Sequence, residues 1–139
     1  MKTEQVNIEE WYFQGGIKSA SGKGRIVPVH ERIKPFIKDL VDQGNTYLFT
    51  FEDKKFSQNK YYECWNEVMN KIGADKTPHE ARHTFETNLD NAKGNRKCID
   101  MLMGHKSKDV GNRVYNHKTI QQLRDTIAVS YTHLTLPTT

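Results

Sequence analysis

The chain has 139 residues, a length that fits one domain with a hydrophobic core of its own. Hydrophobic residues make up 35% of it, which is low but above the range of disordered chains, and no apolar run is long enough to span a membrane. The formal net charge of +4 favours a polyanionic partner such as nucleic acid. Cys64 and Cys98 form no CxxC pair, so we interpret them as reduced core thiols, which favours a cytoplasmic location.

The amino-terminal part of the sequence predicts three short strands. Residues 6–8 and 11–18 are separated by a turn, and residues 25–29 follow a turn rich in glycine and serine. Gly15 and Gly16 are expected to place a bulge in the second strand. Three strands in immediate succession favour an antiparallel meander.

An amphipathic helix is predicted after the strands. Apolar residues recur at helical spacing between Ile33 and Val41. Pro35 is compatible with this helix because first-turn amides have no intrahelical partner to lose. Residues 47–51 then suit either a short strand or an extended connector.

A second helix is predicted between Ser57, which can cap its start, and Gly73, which can end it. Its aromatic residues could form a platform for stacking bases, but their spacing favours a stripe packed in the core. The residues of this stripe are Tyr61, Cys64, Trp65, Val68, Met69 and Ile72.

A third helix begins at Thr77, which forms a capping box with Glu80, and Pro78 occupies the favoured first position. Each residue of an α-helix is rotated by about 100° around the axis relative to the one before it, so the spacing of this segment places its apolar and polar residues on different faces. The apolar face holds Ala81, Phe85 and Leu89, and the polar face holds His79, Arg82 and His83. We therefore expect a buried face and a separate chemical face.

Further helices follow a loop at residues 91–95. One of them ends at Gly104, so His105 lies on a turn, and another short helix capped by Ser107 is expected to carry Tyr115 at or near its end. Its apolar residues are Val110 and Val114, and those of the preceding helix are Ile99, Leu102 and Met103.

The last helix is predicted over residues 119–128, with Ile120, Leu123 and Ile127 on one side. Residues 129–139 contain four threonines and show no helical period. We interpret them as a non-native or disordered tail, outside a domain that covers residues 1–128.

The segment from His79 to His83 matches the HExxH pattern of zinc metalloproteases, in which Glu80 acts as general base. His105 is available as a third ligand under this hypothesis. The match is short, however, and Glu80 already has a structural role in the capping box. A zinc hydrolase is therefore kept only as an alternative.

The second hypothesis is chemistry on a phosphodiester, which needs positive donors on the nonbridging oxygens, a nucleophile and a proton source. Arg82 offers a planar guanidinium, and His79 and His105 can donate hydrogen bonds or carry protons near neutral pH. Tyr115 can act as nucleophile if its environment activates the phenol.

The order of these residues gives a resemblance to a known family. The segments TPHEARHTFET, LMGH and RVYNHKT, with GKGRIVPVHERIKPFI before them, resemble the catalytic domain of the phage integrase family of tyrosine site-specific recombinases. The resemblance covers nearly everything but the tail. It implies a mostly helical α+β fold in which a small three-stranded antiparallel sheet is followed by a helical bundle.

The resemblance also implies the roles of individual residues. Tyr115 attacks the scissile phosphate of double-stranded DNA and forms a covalent 3′-phosphotyrosine, while Arg82, His79 and His105 contact the phosphate. No cofactor is implied, because the reaction conserves bond energy and needs neither ATP nor metal. His83 is assigned a packing or supporting role.

The family carries a general-acid lysine on the hairpin after its second strand, for which Lys18 is the first choice and Lys23 the second. Another catalytic arginine of the family lies on a helix before the first strand, whereas the first arginine here is Arg25, on the third strand. The chain is therefore expected to be a truncated catalytic domain of a mobile element, weak or inactive alone. A full-length parent is expected to form homo-oligomers on DNA, whereas this fragment is expected to be monomeric. The alternative to a recombinase is a DNA-binding remnant without catalysis.

Overall fold

Three short antiparallel strands open the fold. A computed structural model describes residues 1–15, 24–105 and 117–134, except for the side chains of residues 117–118 and 131–134. Val6 pairs with Phe13, and Phe13 pairs in turn with Val27, which confirms the predicted meander. The strands are β1 (Val6–Asn7), β2 (Tyr12–Gln14) and β3 (Ile26–Pro28), in that order across the sheet.

Within the described residues the middle strand comprises Tyr12–Gln14, and the backbone departs from the extended conformation at both flanking positions. Trp11 has a φ of 54° and Gly15 a φ of 139°, so neither continues the extended conformation. The amide of Gly15 still donates to the carbonyl of Arg25 at 3.0 Å, which extends the pairing of β2 with β3 by one hydrogen bond. Gly16, the other residue of the predicted bulge, lies outside the described residues.

The helix α1 (Lys34–Asp42) confirms the first amphipathic prediction, and Pro35 lies in its first turn. Ile37 is its only buried residue, while Phe36 is 68% exposed. The connector after α1 contains a feature that the sequence pattern missed, the hairpin of β4 (Thr50–Phe51) and β5 (Lys54–Lys55). The turn of this hairpin has positive φ at both central residues, Glu52 and Asp53.

Within the described residues, four helices follow the hairpin. Ser57 caps the first by accepting a hydrogen bond from the amide of Lys60 at 3.1 Å, and Gly73 ends it with a φ of 66°. Asn95 caps the third in the same way, through the amide of Cys98 at 3.2 Å. The helices are α2 (Gln58–Ile72), α3 (Pro78–Asn91), α4 (Arg96–Met103) and α5 (His117–Leu134).

The described side chains form two hydrophobic clusters, and residues of β3 and of the position just after it contact both of them. Val29 belongs to the smaller cluster with Ile37 and Leu48. Val27 packs against the larger cluster, which joins α3, α4 and α5. The buried members of this cluster are Leu89, Cys98, Ile99, Met101, Leu102, Met103, Leu123 and Ile127. This larger cluster fixes the relative positions of the three carboxy-terminal helices.

The prediction of a packed core stripe on α2 is wrong. No side chain of this helix is buried, although the structure describes all of its residues. Val68 is 51% exposed and Ile72 is 65% exposed. A helical period shows that apolar residues share a face, but it does not show that another element covers that face. The same limit applies to Ala81 of α3, which is exposed, whereas Leu89 of the same predicted face is fully buried.

The last helix is longer than predicted. It continues through residues 129–134, six positions past the expected end at Ala128, and Ser130 on it is buried. The predicted burial of Ile120, Leu123 and Ile127 is confirmed. Residues 135–139 lie outside the described residues, and the interpretation of residues 129–139 as non-native stays a prediction.

Candidate active site

The start of α3 is fixed by hydrogen bonds that the sequence predicts. The hydroxyl of Thr77 accepts from the amide of Glu80 at 3.2 Å, and the Glu80 carboxylate accepts from the amide of Thr77 at 2.8 Å. This backbone hydrogen bond from Thr77, followed by the one from the Thr77 hydroxyl, lowers the pKa of Glu80 below its ordinary value. The indole of Trp65 on α2 donates to the carbonyl of Lys76 at 2.6 Å, just before the cap.

The two histidines of α3 contact each other. The Nε2 atoms of His79 and His83 are 3.0 Å apart, and both side chains are exposed. One imidazole therefore donates to the other. Glu80 lies between them in sequence, but its carboxylate is bound to Thr77, which argues against a general base in an HExxH site.

The guanidinium of Arg82 joins α3 to the end of α4. Its Nη2 donates to the carbonyl of Met103, the last residue of α4. The bond uses one of five N–H donors of a guanidinium, and it orients the planar group toward the turn that follows α4. Arg82 is exposed, so a solvent-borne phosphate can reach it.

A glycine turn ends α4 and carries His105. Gly104 has a φ of 72°, its amide donates to Met101, and the amide of His105 donates to the carbonyl of Asp100 at 2.9 Å. These two bonds form a Schellman motif, in which the residue with positive φ is glycine because a Cβ is disfavoured there. Arg82 and His105 therefore lie at the same end of α4.

Two carboxylates lie on the Nδ1 side of the His105 ring. Nδ1 is 3.6 Å from Asp100 and 3.8 Å from Glu86, which is ion-pair range but longer than a hydrogen bond. Arg96 binds both carboxylates, at 2.9 Å and 3.1 Å, so it holds them in place. The hydrogen bond that Arg96 donates to Glu86, followed by the charge of Asp100, raises the pKa of Arg96. Nδ1 is therefore the ring nitrogen of His105 that faces the two carboxylates.

Arg25, which directly precedes β3, also reaches this turn, a contact that the sequence pattern does not predict. Its side chain lies against Gly104, so that a Cβ on Gly104 would collide with Nη1 and lie 3.4 Å from Cζ. The Nε of Arg25 is buried. Arg25 follows a glycine and begins the RIVPV segment, a position that predicts a strand but gives no sign of a contact so distant in sequence.

Three predicted site residues lie outside the described residues: Tyr115, Lys18 and Lys23. For Tyr115, the structure describes the element that follows. Helix α5 begins at His117 and is anchored to the sheet, because Arg124 donates to the carbonyl of Glu10.

The described residues show no cluster of three or more potential metal ligands among His, Cys, Asp and Glu. His105, which belongs to the described part of the chain, is therefore not grouped with His79 and His83 as a third ligand of a zinc site. Within the same residues, no helix has the length and apolar character needed to cross a membrane.

Comparison with known proteins relates the whole arrangement to one family. The sequence model described as "Phage integrase family" matches residues 1–122. The chain is 27% identical to the tyrosine recombinase XerA of Pyrococcus horikoshii over 137 residues, which cover 91% of the chain and 46% of that protein. It is 25% identical to the tyrosine recombinase XerD of Haemophilus ducreyi over 135 residues, with 86% of the chain and 45% of that protein covered.

A tyrosine recombinase of Thermosipho africanus shows 28% identity over 109 residues, which cover 76% of the chain and 38% of that protein. The chain thus spans less than half the length of these curated relatives. No solved structure matches the chain.

Proposed function

The chain belongs to the phage integrase family, and from this premise we propose that it forms a catalytic part of a site-specific recombinase that cleaves and rejoins double-stranded DNA. One observation carries the proposal. Arg82 binds the carbonyl of Met103, two residues before His105, so a guanidinium and an imidazole converge on one end of α4. The relatives named tyrosine recombinases support the same class of reaction.

Tyr115 is the proposed nucleophile. Its phenolic oxygen attacks the scissile phosphorus, the bond from phosphorus to the 5′ oxygen breaks, and a 3′-phosphotyrosine forms with release of a 5′-hydroxyl. The reverse attack by a 5′-hydroxyl rejoins the strand and frees the tyrosine. Each step exchanges one phosphate ester for another, so the cycle needs no ATP.

The phosphate is bound by cationic and hydrogen-bonding groups of α3 and of the turn after α4. The Arg82 guanidinium is suited to two nonbridging oxygens at once, and it lies in a preorganised position because Met103 orients it. His79 and His105 donate further hydrogen bonds to the same oxygens. Fixed donors of this kind stabilise the charge that develops in the transition state.

The leaving 5′ oxygen takes a proton from Lys18, with Lys23 as the second choice for this role. Residues 1–5 contain no arginine, whereas the family carries one on a helix before its first strand. We expect this chain by itself to be weak or inactive, because loss of one preorganised phosphate ligand costs about 10²–10³ in rate.

Double-stranded DNA is the proposed partner, and the net charge of +4 is consistent with a polyanion. Contacts to the phosphates position the protein on the duplex without selecting a sequence. We further propose that a longer protein carrying this chain acts as a homo-oligomer on its recombination sites, while this chain alone is monomeric.

The test is to incubate the protein with nicked double-stranded DNA that carries its recombination site, and to separate the products under denaturing conditions. A longer protein that contains this chain and the additional catalytic arginine is expected to give a covalent protein–DNA adduct. This chain alone is expected to give a much smaller amount of adduct. Tyr115→Phe should abolish the adduct, whereas Tyr61→Phe, on the exposed α2, should leave it unchanged.

Two results would contradict the proposal in different ways. An adduct that persists in Tyr115→Phe would show that another residue is the nucleophile. Sequence-specific DNA binding without any adduct, in the form that has the additional arginine, would favour a DNA-binding protein that lacks catalysis. Arg82→Lys tests the phosphate contact, because lysine keeps the charge but loses the planar fork.

A further inference from the structure

The paired histidines of α3 have the geometry of a chelating site. The Nε2 atoms of His79 and His83 are 3.0 Å apart, with the ring planes at 82°. Two imidazoles bound to one ion at about 2.0–2.1 Å have nitrogens separated by about 2.9 Å at a right angle and about 3.4 Å at the tetrahedral angle. The observed separation lies between these values, so the distance between the two nitrogens already matches chelation of one ion.

The backbone around the pair is already fixed. His79 and His83 lie four residues apart, and therefore on one face, in the first turns of a helix whose cap uses both Thr77 and Glu80. Both imidazoles are exposed, so an ion can enter from solvent without unfolding. The nearest acidic residue in sequence, Glu80, is held by the cap, which leaves water to complete the coordination.

We propose that His79 and His83 form a two-histidine site for a borderline divalent transition-metal ion, of which Zn²⁺, Ni²⁺ and Cu²⁺ are the matching types. Imidazole is the donor that these ions prefer, whereas Mg²⁺ and Ca²⁺ prefer oxygen. The site is distinct from an HExxH hydrolase site, because Glu80 takes no part and no hydrolysis is assigned to the ion.

Occupation of the site has a consequence for the proposed recombination. A metal-bound Nε2 has neither a proton to donate nor a lone pair to offer, so this nitrogen of His79 cannot contact a phosphate oxygen while the ion is bound. The ion therefore competes with any phosphate contact that His79 makes through Nε2. This consequence depends on the proposed function, but binding of the ion does not.

The proposal is tested on the chain itself, without DNA. Titration with Ni²⁺ in a calorimeter should give one site per chain, and His79→Ala or His83→Ala should weaken it by about ten-fold or more. His30→Ala is the matched control, because His30 lies before α1 and uses its Nδ1 to accept from the amide of Arg32. Affinity should rise from Co²⁺ to Ni²⁺ to Cu²⁺, and Mg²⁺ should not compete.

A spectroscopic measurement locates the ion independently of the variants. Paramagnetic Cu²⁺ should broaden the amide resonances of α3 near His79 and His83 first, and it should do so at substoichiometric amounts. Circular dichroism confirms that each variant keeps its helices. Equal affinity of Ni²⁺ for both variants and the unmodified chain, or broadening centred away from α3, would overturn the proposal.

Discussion

Two regions of the molecule carry equally clear helical signals but are packed very differently. Helices α3, α4 and α5 bury Leu89, Ile99 and Leu123 completely. Helix α2 has a capping serine, a terminal glycine and an apolar face, yet none of its residues is buried. The candidate site lies at the edge of the packed region, where Arg82 and the Gly104 turn are held by tertiary contacts. Caps and apolar spacing are sufficient to form helices in both regions. The candidate site, however, lies only where helices pack against one another.

The largest expected difference between the two regions concerns core truncation. Leu123→Ala removes a fully buried side chain of α5 and should lower the free energy of unfolding by about 2–5 kcal/mol. Ile72→Ala on α2 is the matched control and should change it by less than about 0.5 kcal/mol, because this side chain is 65% exposed. Urea unfolding of both variants provides the measurement. Equal losses would mean that the face of α2 is covered in solution.

The turn after α4 offers the next test. Gly104→Ala should lower the free energy of unfolding by about 1–3 kcal/mol, since the residue has a φ of 72°. Part of this loss should come from collision with Arg25. The double variant with Arg25→Ala should therefore lose less than the sum of the two single variants, by about 0.5 kcal/mol or more.

Additive losses in this thermodynamic cycle would show that Arg25 does not restrict the turn. Arg32→Ala, in the turn before α1, is the control for Arg25→Ala. The losses of unfolding free energy caused by Arg32→Ala and Gly104→Ala should simply add, because the two residues lie in different parts of the fold. Thermal unfolding of the four proteins of each cycle gives the required free energies.

A smaller effect is expected where α2 does contact the packed region. Trp65→Phe removes the indole N–H that donates to the carbonyl of Lys76, and it should lower the free energy of unfolding by about 1 kcal/mol. Tyr62→Phe on the same helix is the control, since Tyr62 is 44% exposed. Hydrogen exchange at the start of α3 should quicken in the first variant and remain unchanged in the second.

The smallest effect concerns the cap of α3 in acid. The bonds from Thr77 lower the pKa of Glu80 below 4.5, so the charged carboxylate stabilises the folded state above that pH, and the contribution is lost as pH falls through the lowered value. Glu80→Gln should therefore flatten the pH dependence of unfolding below about pH 4.5.

Much of the fold was accessible from the sequence because its signals are local. The capping box at Thr77, the glycine ends at Gly73 and Gly104 and the meander of three strands are all present in the structure. The hairpin at residues 50–55 was missed, since its turn residues, Glu52 and Asp53, are uncommon at positive φ.

The candidate site divides in the same way. The identities of Arg82, His79, His105, Tyr115 and Lys18 came from residue types, order and family resemblance. The hydrogen bond from Arg82 to Met103 and the contact of Arg25 with Gly104 join residues far apart in the chain, and no local pattern encodes them. Arg25 is predicted to lie on the third strand, whereas in the structure it directly precedes β3 and its side chain contacts the Gly104 turn.

The sequence by itself determined where α2, α3 and α4 begin and end and which residue types can perform phosphate chemistry, because caps, periodicity and side-chain types act over a few positions. Only the tertiary structure decided which apolar faces are buried and which polar groups meet. An apolar face is buried only where another element covers it. Arg82 and Arg25 meet the turn after α4 only because α3, α4 and the segment that leads into β3 pack together. For this reason the faces of α2 and α3, so similar as sequence patterns, have different environments in the folded protein.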